Sequence, residues 1–281
     1  MDQQQINQLK QCINKVMPFS DNVQTVLSKM NAKPIDINAI CQQLEMDPLL
    51  TAAILRLANS PFYGFVRKID LIQDAAVLLG IHSLRQVIMS YSLVQAFPYT
   101  SESGLDRKQL WRHSVAVAVT AKYLSQMAGH EGNDSFIAGM LHDIGQFLLD
   151  QCFPEEYRQV FQYIEEHHCS LSKAEQEVLK LGHGKVGAVA IHHWKLPDYL
   201  AEVALRHSAP PTEGEVNPLV DLVHVANVIV KGLWVVEGGN DGIDYLSEHS
   251  LGRLGLDWQT LESELPEIEK MIHDIIERML P

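Results

Sequence analysis

Ala138-Gly139-Met140-Leu141-His142-Asp143-Ile144-Gly145-Gln146-Phe147-Leu148-Leu149 is an apolar helical run with an imidazole and a carboxylate side by side at its centre. Burying two such groups costs several kcal/mol unless each finds a partner. Neighbouring residues on a helix point about 100° apart, so the two side chains face different surroundings unless one ion gathers both. Two readings are therefore open. One is a hydrogen-bonded His–Asp pair closing a helix joint. The other is part of a metal ligand set, since imidazole and carboxylate together suit a divalent transition metal.

Working outward, helical periodicity dominates and strand signals are scarce, so the chain is expected to be all-α. Ile6, Leu9, Ile13 and Val16 recur at spacings of three and four, as do Val23, Val26, Leu27 and Met30, and then Ile37, Ile40, Cys41 and Leu44. Ser20 or Asp21 can cap the second of these helices and Asp36 the third, while Asp47-Pro48 opens a fourth with proline in its first turn. The segment from Leu49 to Asn59 is apolar almost all round and is expected in the middle of a helical layer. Helices are also expected over 70–79 and 83–97, interrupted at Gly80, with Pro98 to Asp106 as a polar linker.

A second block opens with a helix over 107–127 and continues with one from Asp134 to about Asp150, which carries the His-Asp pair. Further helices are expected over 154–168, 172–181, 183–194, 198–207 and 218–231. The amphipathic tail from Leu261 to Met279 presents Leu265, Ile268, Met271, Ile272, Ile275 and Ile276 on one side and an acidic face on the other. That pattern predicts docking on the core rather than on a membrane surface, which would favour a basic face.

Composition narrows the function classes. The 281-residue chain is 46% hydrophobic, which suits a globular protein. No unbroken apolar run of membrane-spanning length appears, and the polar start Met1-Asp2-Gln3-Gln4-Gln5 is unlike a signal peptide, so residence in the cytoplasm is expected. Cys12, Cys41, Cys152 and Cys169 show no CxxC spacing and read as reduced, mostly buried thiols. A formal charge of −13 excludes a broad nucleic-acid surface. Histidines are abundant after the central pair: His183, His192, His193, His207, His224 and His249 all follow it.

If His142 and Asp143 bind a metal, the remaining ligands must come from other helices, because one helix cannot surround an ion. His113 qualifies, embedded in Leu110-Trp111-Arg112-His113-Ser114-Val115-Ala116-Val117. His183 stands at a helix start among Gly182, Gly184 and Gly187, which permit close helix approach, and His207 lies near a helix end. His192-His193 beside Trp194 suits partial exposure, and His167-His168 suits a helix C-terminal dipole. His224, one helical turn before Asn227, either packs in the core or faces the same site.

The order His113, then His142-Asp143, resembles the HD superfamily of metal-dependent phosphohydrolases. More closely, Asp47-Pro48-Leu49-Leu50-Thr51-Ala52-Ala53-Ile54-Leu55-Arg56-Leu57-Ala58-Asn59-Ser60 and Leu78-Leu79-Gly80 resemble the first half of an HDOD domain, an HD-related output module of bacterial signalling proteins. Met17-Pro18, the stretch from His183 to Trp194-Lys195-Leu196-Pro197, and Val225-Ala226-Asn227 extend the likeness over residues 10–235. The resemblance implies an HD-like helical bundle (107–281) preceded by an N-terminal helical subdomain (1–98).

It also implies a site. His113, His142 and Asp143 match the first three metal ligands of catalytic HD proteins, with Asp143 central to catalysis. His183 matches a further histidine and His207 the first of a His-His pair. Three positions depart: Ser208 replaces the second histidine of that pair, Asn227 the final aspartate ligand, and Gln146 the usual lysine. The implied cofactor is a divalent transition metal (Fe, Mn or Zn), held by His113, His142 and Asp143 with Asn227 or water, or lost altogether. Two functions follow: a signalling module answering to a protein partner or a small phosphorylated ligand, or an active phosphohydrolase on a nucleotide or other phosphoester.

Overall fold

The computed structural model describes residues 3–16, 18–65, 67–130, 134–233 and 245–279. Met17 and the side chain of Ile6, both used in reading the sequence, lie outside the described residues. Every regular element described is a helix, as the periodicity predicts. The N-terminal part contains α1 (Gln3–Lys15), α2 (Asp21–Asn31), α3 (Ile37–Glu45), α4 (Pro48–Ala58) and α5 (Ile72–Ala96). The middle contains α6 (Arg107–Met127), α7 (Ser135–Leu141), α8 (Ile144–Cys152), α9 (Pro154–His167) and α10 (Leu171–Val178). The last five are α11 (His183–His193), α12 (Asp198–Arg206), α13 (Pro218–Gly232), α14 (Glu248–Leu254) and α15 (Trp258–Met279).

Two compact units form, and they are not contiguous in sequence: residues 1–16 join 98–269, while 17–97 join 270–281. Both chain termini thus join a unit built mainly from residues distant in sequence. The physical reason at the N-terminus is a set of ties from α1. Cys12 is disulfide-bonded to Cys152 at the end of α8, with a Cα–Cα distance of 5.7 Å. Gln8 Nε2 donates to the Cys152 carbonyl at 2.9 Å, and Trp194 Nε1 donates to the Val16 carbonyl at 3.1 Å. The disulfide corrects the expectation of four reduced thiols; Cys41 and Cys169 remain free.

The unit built on 17–97 follows its capping signals. Ser20 accepts from Val23 N, Asp36 from Ala39 N, and Asp47 from both Leu49 N and Leu50 N, each satisfying an orphan first-turn donor. α4 is not apolar all round in its burial: Leu50, Ile54 and Leu57 are buried, whereas Leu49 is 70% exposed. Asn59 closes the loop after α4. Its amide donates to the carbonyls of Leu55 (2.8 Å) and Ile69 (2.7 Å) while its oxygen accepts from Ile69 N (2.8 Å). The interruption expected at Gly80 is present within α5, where Gly80 leaves helical geometry at φ 75, ψ 158 and separates two helical stretches. α5 is long and apolar enough by composition to cross a membrane, but half of its most apolar window is buried in the protein, as in a core helix. Ile272, Ile275 and Ile276 of α15 are buried, as the tail's apolar stripe predicts.

In the unit built on 98–269, α6 packs against α7 and α13, and α11 against α8 and α12. The irregular segment 98–106 is no free linker. Ser101 Oγ (2.6 Å) and Ser103 Oγ (2.5 Å) donate to Asp150 Oδ1, and Arg107 Nε donates to Asp150 Oδ2. Arg107 also donates to the Pro98 carbonyl at 3.1 Å, so a buried ion pair anchors both ends of the segment. α14, absent from the sequence reading, is held to α13 by a fork in which Arg253 meets both oxygens of Asp221 at 2.7 Å.

Candidate metal centre

The helix expected from Asp134 to Asp150 is broken at the His-Asp pair. His142 caps the end of α7, and Asp143 leaves helical geometry at φ −105, ψ 14 before α8 begins. The break resolves the angular problem of adjacent helical ligands. Both side chains turn to one point, with His142 Nε2 3.1 Å from Asp143 Oδ2. Close helix packing sets the position: a Cβ on Gly145 would stand 1.9 Å from the His183 carbonyl oxygen, and one on Gly184 2.7 Å from the Ala204 carbonyl oxygen. The glycines in these two stretches thus allow α8, α11 and α12 to approach backbone to backbone.

The approach delivers the other histidines to Asp143. His183, first residue of α11, places Nε2 3.4 Å from Asp143 Oδ1, and His207, at the end of α12, places Nε2 3.3 Å from the same oxygen. His113 comes from the middle of α6, its Nε2 3.7 Å from Asp143 Oδ2. The five side chains sort into two trios sharing Asp143: His113 with His142, and His183 with His207. Within each trio the ligand atoms lie within 4.8 Å of one another. Asn227 is buried on α13, near His113.

Hydrogen bonding assigns the tautomers of three histidines. His142 Nδ1 lies 2.6 Å from the Gly139 carbonyl and His207 Nδ1 3.0 Å from the Ala204 carbonyl. A carbonyl only accepts, so each Nδ1 carries the hydrogen and donates it. His183 Nδ1 likewise donates to Glu175 Oε2 at 2.8 Å. The three Nε2 lone pairs then face Asp143, as in metal sites whose histidines are oriented from behind. Asp143 Oδ1, His142 Nε2, His113 Nε2 and Asn227 Oδ1 are buried without a hydrogen-bond partner. Lone pairs pointing at a carboxylate repel one another unless a cation stands between them, so this donor set fits a divalent ion.

Protonation favours the same occupant. Burial pushes the His113 imidazole down to about 3, helped by His142 and opposed by Asp143. Burial likewise pushes His207 down to about 4, opposed by the Asp143 carboxylate. At Asp143 burial acts upward but is outweighed by His142 and then His207, which hold the carboxyl well below its ordinary value. Neutral imidazole and ionised carboxylate are the forms that coordinate metal.

The departures are placed as follows. Gln146 is buried on α8, and Ser208 Oγ lies 2.9 Å from His207 Nε2. His224 is buried behind the centre, its Nδ1 donating to the His207 carbonyl at 2.8 Å. His167, His168, His192, His193 and His249 are exposed. Glu175 escaped the sequence reading because its segment, Lys173-Ala174-Glu175-Gln176-Glu177, looks like any amphipathic helix. Only its burial sets it apart.

The family profile of the HDOD domain matches residues 16–210. The chain belongs to the HDOD family. An HDOD domain protein of unknown function from Geobacter sulfurreducens is 26% identical, with a TM-score of 0.74 over 91% of this chain and 92% of that one. A protein of Shewanella amazonensis, provisionally named a phosphohydrolase, superimposes with a TM-score of 0.77 over 97% of this chain and 98% of its own. At 22% identity that second likeness is one of fold. An uncharacterised protein of Treponema pallidum is 24% identical over 214 residues, and the chain spans 40% of that relative's length.

Proposed function

We propose that this HDOD protein is a bacterial regulatory module whose HD-type pocket holds a divalent transition metal, with His113, His142, Asp143, His183, His207 and Asn227 as the donors available to it. The observation that carries the reading is the convergence of four histidine Nε2 atoms on one buried aspartate. A regulatory role is supported by Asn227 and Gln146. Asn227 offers a neutral carbonyl where catalytic HD proteins have an aspartate, and Gln146 offers no cation to meet a transferring phosphoryl group. The signal reaches the module from a protein partner or a small phosphorylated ligand, and cytoplasmic residence belongs to the same proposal.

A second reading is metal-dependent phosphoester hydrolysis. A bound ion lowers the pKa of a coordinated water toward neutrality and polarises a phosphoryl oxygen. Retention of all five His and Asp donors in one geometry favours it. The chain's own contribution would be to orient the imidazoles through Gly139, Ala204 and Glu175 and to keep the pocket dry.

One experiment tests both. Protein purified without chelator is assayed for metal content, then for phosphodiesterase turnover with added Mn²⁺ or Fe²⁺. The module reading expects bound metal and no turnover. Turnover that vanishes in His142→Ala establishes the hydrolase, and absence of metal binding at micromolar concentration removes both metal-based readings.

A further inference from the structure

His183 lies between two buried carboxylates. Its Nε2 is 3.4 Å from Asp143 Oδ1 and its Nδ1 is 2.8 Å from Glu175 Oε2. Glu175 is held firmly: Oε2 also accepts from the His183 backbone N–H at 2.8 Å, and Oε1 accepts from the Tyr157 hydroxyl at 3.2 Å. Its relative exposure is 0%. The described ion-pair partners of both carboxylates are histidines. Two carboxylates buried on either side of one imidazole cost several kcal/mol unless positive charge is supplied between them. One dication balances both.

The two trios around Asp143 are not equivalent. Ligand atoms each about 2.1 Å from a tetrahedral ion stand about 3.4 Å apart. His183 and His207 meet that spacing to Asp143 Oδ1 at 3.4 and 3.3 Å, whereas His113 stands 3.7 Å from Oδ2. On the His113 side the neighbouring donor is the neutral Asn227. Behind His183 stands a carboxylate. Charge and spacing favour the same half of the pocket.

We propose that the pocket is a one-ion centre in which the ion sits among Asp143, His183 and His207. Glu175 is its positioning residue, supplying through His183 the second negative charge that Asn227 does not supply directly. This rests on the reading of the pocket as metal-binding, and the experiment separates the two. Apo protein is titrated with Co²⁺, followed by visible absorption for geometry and by calorimetry for affinity and stoichiometry. One ion per chain is expected. His183→Ala and His207→Ala should abolish binding, while His113→Ala should stay within about threefold of wild type. Glu175→Gln should weaken binding about 10- to 100-fold and alter the absorption band, with Glu175→Asp recovering part of the affinity.

Tyr157→Phe, which leaves the carboxylate in place and removes one of its donors, should weaken binding about threefold and serves where Glu175→Gln does not fold. Unchanged affinity in Glu175→Gln or Tyr157→Phe overturns the role of Glu175. Binding that needs His113 but not His183 overturns the placement of the ion. In both cases the metal reading of the pocket stands; a wild-type protein that takes up no Co²⁺ overturns that reading itself.

Discussion

Gly145 and His183 meet backbone to backbone: the α-carbon of Gly145 faces the His183 carbonyl so closely that a methyl group would overlap the oxygen, at 1.9 Å. Neither side can yield cheaply, because the obstacle is main chain rather than the end of a flexible side chain. Gly145→Ala should therefore push α11 away from α8 and destabilise the fold by about 1–3 kcal/mol, the usual range for overpacking. It should also weaken metal binding by displacing His183. Gly252→Ala is the control. It lies inside α14 with nothing within 4 Å of its added methyl, so it should stabilise by roughly 0.5–1 kcal/mol through helix propensity. Urea unfolding of the two variants reads opposite signs.

Arg107 and Asp150 form a buried ion pair that two serine hydroxyls complete. Removing one partner leaves the other charge stranded, which costs about 3–5 kcal/mol. Asp150→Ala and Arg107→Ala should each lower stability by that amount and loosen the 98–106 segment. The double change Arg107→Met with Asp150→Leu removes both charges and should recover most of the loss. A double-mutant cycle built from Arg107→Met, Asp150→Leu and the pair, followed by denaturant unfolding, checks it. Strictly additive losses would show that the pair is not coupled.

Much of this was legible because local chemistry dictates it. Asp47-Pro48 caps α4 through contacts that lie within four residues of each other. The wide apolar stripes of α6 and α13 left His113 conspicuous as a polar residue in a buried setting. What escaped depends on tertiary approach. The break at His142-Asp143 lies in a run whose apolar pattern continues on both sides, so periodicity alone draws one helix. Glu175 acquires its meaning only when α10 brings it behind His183, eight residues away across a helix start. Cys12 and Cys152 are 140 residues apart, and nothing local to either announces the other. For His224 the sequence leaves core packing and the site both open; it is buried, and its contact with the His207 carbonyl ties it to the centre.

Asn227 is buried on α13, its Oδ1 without a hydrogen-bond partner. Asn227→Asp would add an anionic ligand to the poorer half of the pocket. Metal stoichiometry should rise from one ion to two, and the second should bind at least tenfold more tightly than to the wild type. Calorimetric titration with Mn²⁺ measures both quantities. Unchanged stoichiometry and affinity would place Asn227 outside the coordination sphere.

The histidines also set a pH dependence for the metal-free protein. His207 is held neutral to about 4 and His113 to about 3, against an ordinary value of 6.5 for each. Between those limits the unfolded chain binds protons that the folded chain refuses. Stability must therefore rise with pH across that interval, because unfolding takes up protons there. Their contribution is fully present above about 6.5 and is lost progressively as the pH falls toward 4 and 3. Asp143, held well below its ordinary value, adds a loss of the same sign at the acid end. Thermal unfolding of apo protein from pH 7.5 down to pH 4 should show a falling midpoint. His207→Gln, which titrates at neither limit, should flatten the profile between pH 6.5 and 4 while lowering stability at pH 7.5. A wild-type profile that is flat across this window would mean that these imidazoles are not buried in neutral form.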